Sequence, residues 1–328
     1  MVRRGVFALV VVSLLITVAV PRSSAQSLDQ SVSGVELGIY QPGLPDDSSK
    51  LDSYEQRTGR RLAIVHWYAQ WAGWKGAFNL ADFQAVAARG SIPLITWEPW
   101  TGVAQSPPDP NWSLRAAILS GRSDAYIESW ARGLAAYGGP VLLRFAHEMD
   151  DQPVYPWSVG NNDNTSADYV AAWHYVRAIF ARFHADNVQW VWNPNTLGDA
   201  TPERYLATYQ ALYPGDDAVD WIGLDIFNTG PNLDWGRPRW QSFEQALAAP
   251  YAAITSISRK PVILPEVGST ETGGSKAAWI EAALGPDLTQ FPRVRALVWF
   301  DVDKEQPWNL DSSQSSLQAW LASLSQSG

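Results

Sequence analysis

A chain of 328 residues in which 46% are apolar is long enough to bury one large core, and α/β barrels reach that size as a single domain, so length alone does not demand two. The formal net charge of −9 argues against a nucleic-acid partner. With no cysteine, the chain uses neither disulfides nor thiolate metal sites, and its stability has to come from burial.

Residues 1–25 read as a secretory signal peptide. Arg3 and Arg4 precede an apolar run from Gly5 to Val20, and Ser23-Ser24-Ala25 supplies small residues for cleavage before Gln26. An uncleaved membrane anchor is the alternative, but the run is short for a span. Cleavage would remove Arg3, Arg4 and Arg22 and leave the chain still more acidic. The expectation is a secreted, extracellular protein, monomeric and free of the membrane after cleavage, with an N-terminal linker at 26–34 and one domain at 35–325.

Along that domain, short β-rich apolar runs alternate with segments of helical spacing. The runs fall at 35–40, 62–67, 92–97, 141–146, 188–193, 221–227, 261–266 and 295–300. The intervening helices are expected at 51–58, 78–89, 124–137, 167–184, 202–212, 240–257, 276–284 and 317–324, with Asp124 and Pro202 marking two of the starts. Eight such units close naturally into a (β/α)8 TIM barrel, whereas an open doubly wound sheet usually stops at five or six strands. Residues 100–122 and 149–165 carry Pro, Gly, Asn and Asp instead of helical periodicity and read as loops over one end.

Polar and aromatic residues collect at the C-terminal ends of the runs, where barrel enzymes place their sites. They include Tyr40, His66-Trp67, Trp97-Glu98, His147-Glu148, Trp192-Asn193, Asp225 with Phe227, Glu266, and Trp299 with Asp301. Glu148 and Glu266 each end an otherwise apolar run, the fourth and the seventh. Such a carboxylate is either catalytic or paired with a base such as Arg144. Hydrolysis of a glycosidic bond with retention needs two carboxyl groups about 5 Å apart, and two barrel strands can hold that geometry. Arg144 lies two residues from Ala146 and should share its inward direction, reaching toward a carboxylate. The 18 Trp of this chain are flat, partly polar rings that stack well on sugar faces, but large cores use Trp too. Trp67, Trp97, Trp100, Trp157 and Trp192 are open between the two roles. His147-Glu148-Met149 lacks the second histidine of a zinc motif, so no metal and no cofactor is expected.

Several longer segments are recognisable together. Ile64-Val65-His66-Trp67-Tyr68, Ile92-Pro93-Leu94-Ile95-Thr96-Trp97-Glu98-Pro99-Trp100, Arg144-Phe145-Ala146-His147-Glu148-Met149, Val191-Trp192-Asn193-Pro194-Asn195, Tyr213-Pro214-Gly215-Asp216 and Val298-Trp299-Phe300-Asp301 occur in order at natural spacings. Over about 35–308 the chain thus resembles glycoside hydrolase family 26, best known for endo-β-1,4-mannanases. The resemblance implies a retaining double displacement on a polysaccharide, with Glu148 as acid/base and Glu266 as nucleophile. It implies an arginine at 144 that supports the site and sugar contacts from His66 and His147, with Trp299 as the floor of the cleaved-site sugar. Trp67, Trp97, Trp157, Trp192, Asp225 and Phe227 complete the expected binding set.

Two departures bear on substrate. Val154 stands where the family's mannanases carry a sugar-contacting Trp, and Phe227 stands where a Tyr hydroxyl normally bonds the nucleophile. Loss of a hydrogen bond to a charged group is worth about 1.5–3 kcal/mol, or roughly one to two decades in rate. Mannan is therefore the first expectation, with mixed-linkage β-glucan, β-1,3-xylan or another heteropolysaccharide as alternatives, and a non-catalytic carbohydrate-binding barrel as the contrasting reading.

Overall fold

The computed structural model describes residues 31–32, 34–100, 112–151, 154–196, 201–231, 233 and 239–325. The expected signal peptide at 1–25 and most of the 26–34 linker lie outside these residues, as do 101–111 and 152–153 of the two expected loops. No helix among the described residues is long and apolar enough to cross a membrane.

Among the described residues, eight parallel strands alternate with helices and close into a barrel. They are β1 (Val35–Tyr40), β2 (Ile64–Gln70), β3 (Ile92–Glu98), β4 (Val141–Phe145), β5 (Val188–Trp192), β6 (Trp221–Gly223), β7 (Val262–Ser269) and β8 (Val294–Phe300). Each pairs with the next, and β1 pairs with β8 as well as β2, so that Gly38 lies opposite both Ile64 and Val298. Closure is tight there: a Cβ on Gly38 would come within 2.9 Å of both neighbours. The helices are α1 (Ser49–Thr58), α2 (Leu80–Ala88), α3 (Asp124–Tyr137), α4 (Ser166–Arg182), α5 (Pro202–Leu212), α6 (Phe243–Ile257), α7 (Lys276–Ala283) and α8 (Gln314–Ser325). Side-chain oxygens satisfy several of their first N–H groups, with full capping boxes at Thr165/Asp168 and Ser242/Gln245.

Strand alternation sorts the interior into layers. Ile64, Leu94, Leu142, Val191, Ile263, Ala296 and Val298 fill the barrel as one apolar cluster. One step further toward the C-terminal mouth the same inward positions turn polar, with His66, Thr96, Arg144 and Asn193 all fully buried.

The opposite parity faces the helices, and this corrects four of the expected sugar contacts. Trp67, Trp97, Trp192 and Trp299 are at most 1% exposed and belong to the layer between barrel and helices. Trp67 packs on Phe83 of α2, and Trp97 on Trp130 of α3 and Phe180 of α4. Trp192 packs on Tyr209 and Tyr213, and Trp299 on Trp279 of α7 and Trp320 of α8. Neighbours in a strand point to opposite faces, so His66 and Trp67 cannot both face inward.

β6 is shorter than the run at 221–227. It breaks at Leu224-Asp225 and resumes as Ile226–Asn228, which pairs only with β7. β7 in turn runs three residues past Glu266.

Replacing Trp97 with Ala is expected to lower the unfolding free energy by about 3–5 kcal/mol, the usual cost of deleting a buried Trp. A urea midpoint left where it was, with sugar binding weakened, would return Trp97 to the groove.

Candidate active site

Two backbone irregularities aim the carboxylates. Between β7 and β8 the register runs Leu297 to Leu264 and then Trp299 to Val267, so three steps on β7 oppose two on β8. This bulge falls at Pro265-Glu266. Strict alternation from inward-facing Ile263 would send Glu266 outward; the extra residue turns it to the barrel mouth. Pro265 suits the position because it has no N–H to leave unpaired. At the end of β4, Ala146 and Glu148 both adopt left-handed backbone, with φ of 44° and 49°. For non-glycine residues that conformation costs about 1–3 kcal/mol each and persists only where the surroundings enforce it. Here the Ala146 N–H donates to the Trp97 carbonyl at 3.1 Å and the Glu148 N–H to the Asn193 carbonyl at 2.7 Å.

Arg144 joins the groups on these strands. Its Nη1 donates to Oε1 of Glu266 at 2.5 Å and to Thr96 Oγ1 at 3.1 Å, while Nη2 donates to Asp225 Oδ2. Asn193 Nδ2 donates to the same Asp225 oxygen at 2.9 Å. The interior has room for the Asn193 side chain because residue 223 is glycine: a Cβ there would lie 2.1 Å from Asn193 Oδ1. Glu148 lies beside the Asp225 carboxylate and accepts from the Tyr155 hydroxyl at 3.1 Å. Glu148 and Glu266 are therefore linked through Asp225 and Arg144.

A second donor to the nucleophile candidate comes from a residue the sequence reading passed over. Tyr68, inward-facing on β2 by parity with His66, donates its hydroxyl to Glu266 Oε1. The hydroxyl absent from Phe227 is thus supplied from the other side of the barrel, and the rate penalty expected for that departure does not follow. Both donors bind Oε1, so Oε2 accepts no hydrogen bond among the described residues.

Burial separates supporting groups from groups a ligand can touch. His66 is fully buried, with Nε2 2.7 Å from Thr96 Oγ1 and its ring packed against both Tyr40 and Tyr68. Arg144 and Asp225 are also sequestered, at 0% and 2% side-chain exposure. Trp157 is fully buried with Nε1 on the His147 carbonyl at 2.7 Å, and Tyr155 stacks flat on it, ring centroids 4.7 Å apart. His147 lies beneath Tyr155 at 4.9 Å. His66, Arg144, Asp225, Trp157 and His147 are accordingly corrected from sugar contacts to supports. Tyr40, Tyr68, Glu148, Tyr155 and Phe227 keep partial exposure at the mouth, and 11% of the Glu266 side chain is exposed. Position at a strand end together with inward parity would have identified Tyr40 and Tyr68. Tyr155 lies in a loop and carried no such signal.

The electrostatics follow from this burial. Burial, and then the adjacent Asp225 and Glu266 carboxylates, push the Glu148 carboxyl well above the usual range. Burial pushes Asp225 up to about 7 as well, but the Arg144 guanidinium on it opposes the rise, so of the two carboxyls Glu148 is the one that holds its proton more tightly. Burial and the nearby Arg144 hold His66 and His147 well below the ordinary histidine range, so both are neutral. Glu98, at the end of β3, is a further buried carboxyl, pushed up to about 7 chiefly by burial. Among the described residues no group of three or more His, Asp or Glu side chains is arranged to hold a metal ion.

A site built this way can be compared with known proteins. The family model for glycosyl hydrolase family 26 matches residues 95–238. Endoglucanase H of Acetivibrio thermocellus is 37% identical over 319 residues, which is 95% of this chain and 33% of that protein. A β-1,3-xylanase of a Vibrio species is 30% identical over 120 residues, 37% of this chain and 24% of that one. The chain thus spans about a third or less of these relatives. Among solved structures, a GH26 β-mannanase from Bacteroides ovatus superposes with a TM-score of 0.66 at 18% identity, covering 88% of each chain. The catalytic domain of a Bacillus sp. JAMB-750 endo-β-1,4-mannanase gives 0.68 at 17% identity, over 89% of this chain and 85% of that one. At that identity the two structures speak to the fold, which is the same (β/α)8 barrel. With the family model matching residues 95–238 and the relative aligned along 95% of this chain, what the chain is similar to is glycosyl hydrolase family 26.

Proposed function

We propose that the protein is a secreted, retaining endo-β-glycanase in which Glu266 is the nucleophile and Glu148 the acid/base. One observation carries the roles: Arg144 and Tyr68 both bind Oε1 of Glu266, leaving Oε2 for attack, while the carboxyl across the network is held protonated. In the first step Oε2 forms a bond to the anomeric carbon as the glycosidic C–O bond breaks, and Glu148 gives its proton to the leaving oxygen. In the second step Glu148, now a carboxylate, takes a proton from water. The water oxygen then bonds to the anomeric carbon and Glu266 leaves as a carboxylate.

The substrate we propose is a β-glucan. The relative that aligns along 95% of this chain is named an endoglucanase, whereas the mannanases resemble it at 17–18% identity and the xylanase aligns over 120 residues only. This moves the expectation from mannan, the family's best-known substrate, to glucan. Val154, 44% exposed and offering no ring, is consistent with a remodelled groove.

Incubation with lichenan, mannan, glucomannan and β-1,3-xylan is expected to release reducing ends fastest from the glucan, first in the β-anomer. Release from mannan alone would restore the mannanase reading, and no release from any of the four would end the glycanase reading. Tyr68→Phe is expected to lower kcat by roughly one to two decades, the worth of a hydrogen bond to a charged group. Because Glu148 must start protonated, kcat/KM should fall as pH rises through its elevated value. In Glu148→Ala acting on an aryl glycoside with a good leaving group, that alkaline limb should vanish and azide should restore turnover. Persistence of the limb would assign it to another group.

A further inference from the structure

Most of the aromatic surface of this protein is turned into its core, and Trp74 departs from that. It is 53% exposed, the most exposed of the three large apolar side chains that stand out among the described residues. It sits in the turn that follows β2, on the same face of the barrel as Glu148 and Glu266.

The turn is fixed, not merely long. The Gln70 N–H donates to the Trp74 carbonyl at 2.8 Å, and Gly73 and Gly76 close two further turns at 3.0 and 3.1 Å. Lys75 takes left-handed backbone, φ 53°, and its ammonium pairs with Asp46 at 2.5 Å and Asp82 at 2.9 Å. The Gly76 carbonyl accepts from the Tyr126 hydroxyl at 2.6 Å and from Trp130 Nε1 at 2.8 Å. A Cβ at 76 would lie 2.5 Å from the Gln70 carbonyl oxygen, so the close approach requires glycine. Trp71, in the same turn, goes the other way and packs on Trp97 and Tyr126. The Trp71 N–H donates to the Glu98 carbonyl at 2.9 Å, tying the turn to the end of β3 beside the site. The Lys75 ammonium lies 5.9 Å from the Trp74 ring centroid and orients it. Trp71 does the packing, while Trp74 stands out in water on an ordered turn.

We propose that Trp74 is a distal stacking platform for a β-linked polysaccharide chain, continuing the groove outward from the β1–β3 strand ends. The apolar C–H face of an equatorially linked sugar ring fits an indole plane at a preset position, and little entropy is lost because the turn is already ordered. Since the platform lies outside the cleaved bond, it serves long substrates and leaves short ones unaffected. This inference rests on the glycanase reading for its ligand.

The test is Trp74→Ala in the full chain, with the urea midpoint as a check on folding. The KM for lichenan is expected to rise about five- to tenfold, with kcat unchanged and with no change on an aryl glycoside of one or two sugars. Trp74→Phe should recover part of the loss. Migration in a gel containing lichenan should be less retarded for Trp74→Ala than for the wild type. Equal KM and equal retardation would overturn the proposal, and so would a KM raised equally on polymer and short glycoside. Should the wild type cleave no glycan, the glycanase reading falls, and the retardation comparison alone then decides the platform.

Discussion

One buried cation organises this protein. The Arg144 guanidinium has no exposure to water, and taking it there is tolerable only because Glu266 and Asp225 meet it with good geometry. Removing one member of such a group typically costs 3–5 kcal/mol, because the other charge is left uncompensated (about the same as losing a large core side chain). Glu266, the nucleophile of the proposed mechanism, is thus also a structural counterion, and folding and the proposed reactivity share an interaction. The same charge discourages a second cation nearby, which helps to keep His66 and His147 neutral.

The aromatic residues divide by direction more than by type. Tryptophans at strand ends face the helices and mortar the outer layer, whereas Tyr68, of the opposite parity, faces the mouth and places its hydroxyl on Glu266, and Tyr155 does the same for Glu148 from a loop. The division is sensible chemically: Tyr offers a hydroxyl at the end of a rigid ring where a carboxylate needs a donor, and Trp fills volume where none is needed.

Much of the fold was legible because β-branched runs and helical spacing repeat eight times. Helices 124–137 and 202–212 have the boundaries that the sequence implies, each marked by an acid, a threonine or a proline at its start. Strand six was less legible, since its break at Leu224-Asp225 arises from Asp225 turning to Arg144, a contact 81 residues away along the chain. At the site, Glu148 and Glu266 stood out as acids closing apolar runs. The side taken by the surrounding tryptophans was not legible from their place at a strand end, because parity with His66, Thr96 or Arg144 decides it. Tyr155 was beyond reach, since a loop residue has no period to read.

The left-handed pair that brackets His147 places conformational energy in the stretch of backbone that aims Glu148, the proposed acid/base. Such a segment relaxes as soon as the hydrogen bonds it donates to the Trp97 and Asn193 carbonyls begin to open, well before the barrel itself comes apart. Warming should accordingly abolish the proposed glycanase activity at a lower temperature than it melts the helices, and the interval between the two measures how firmly the surrounding strands grip that turn.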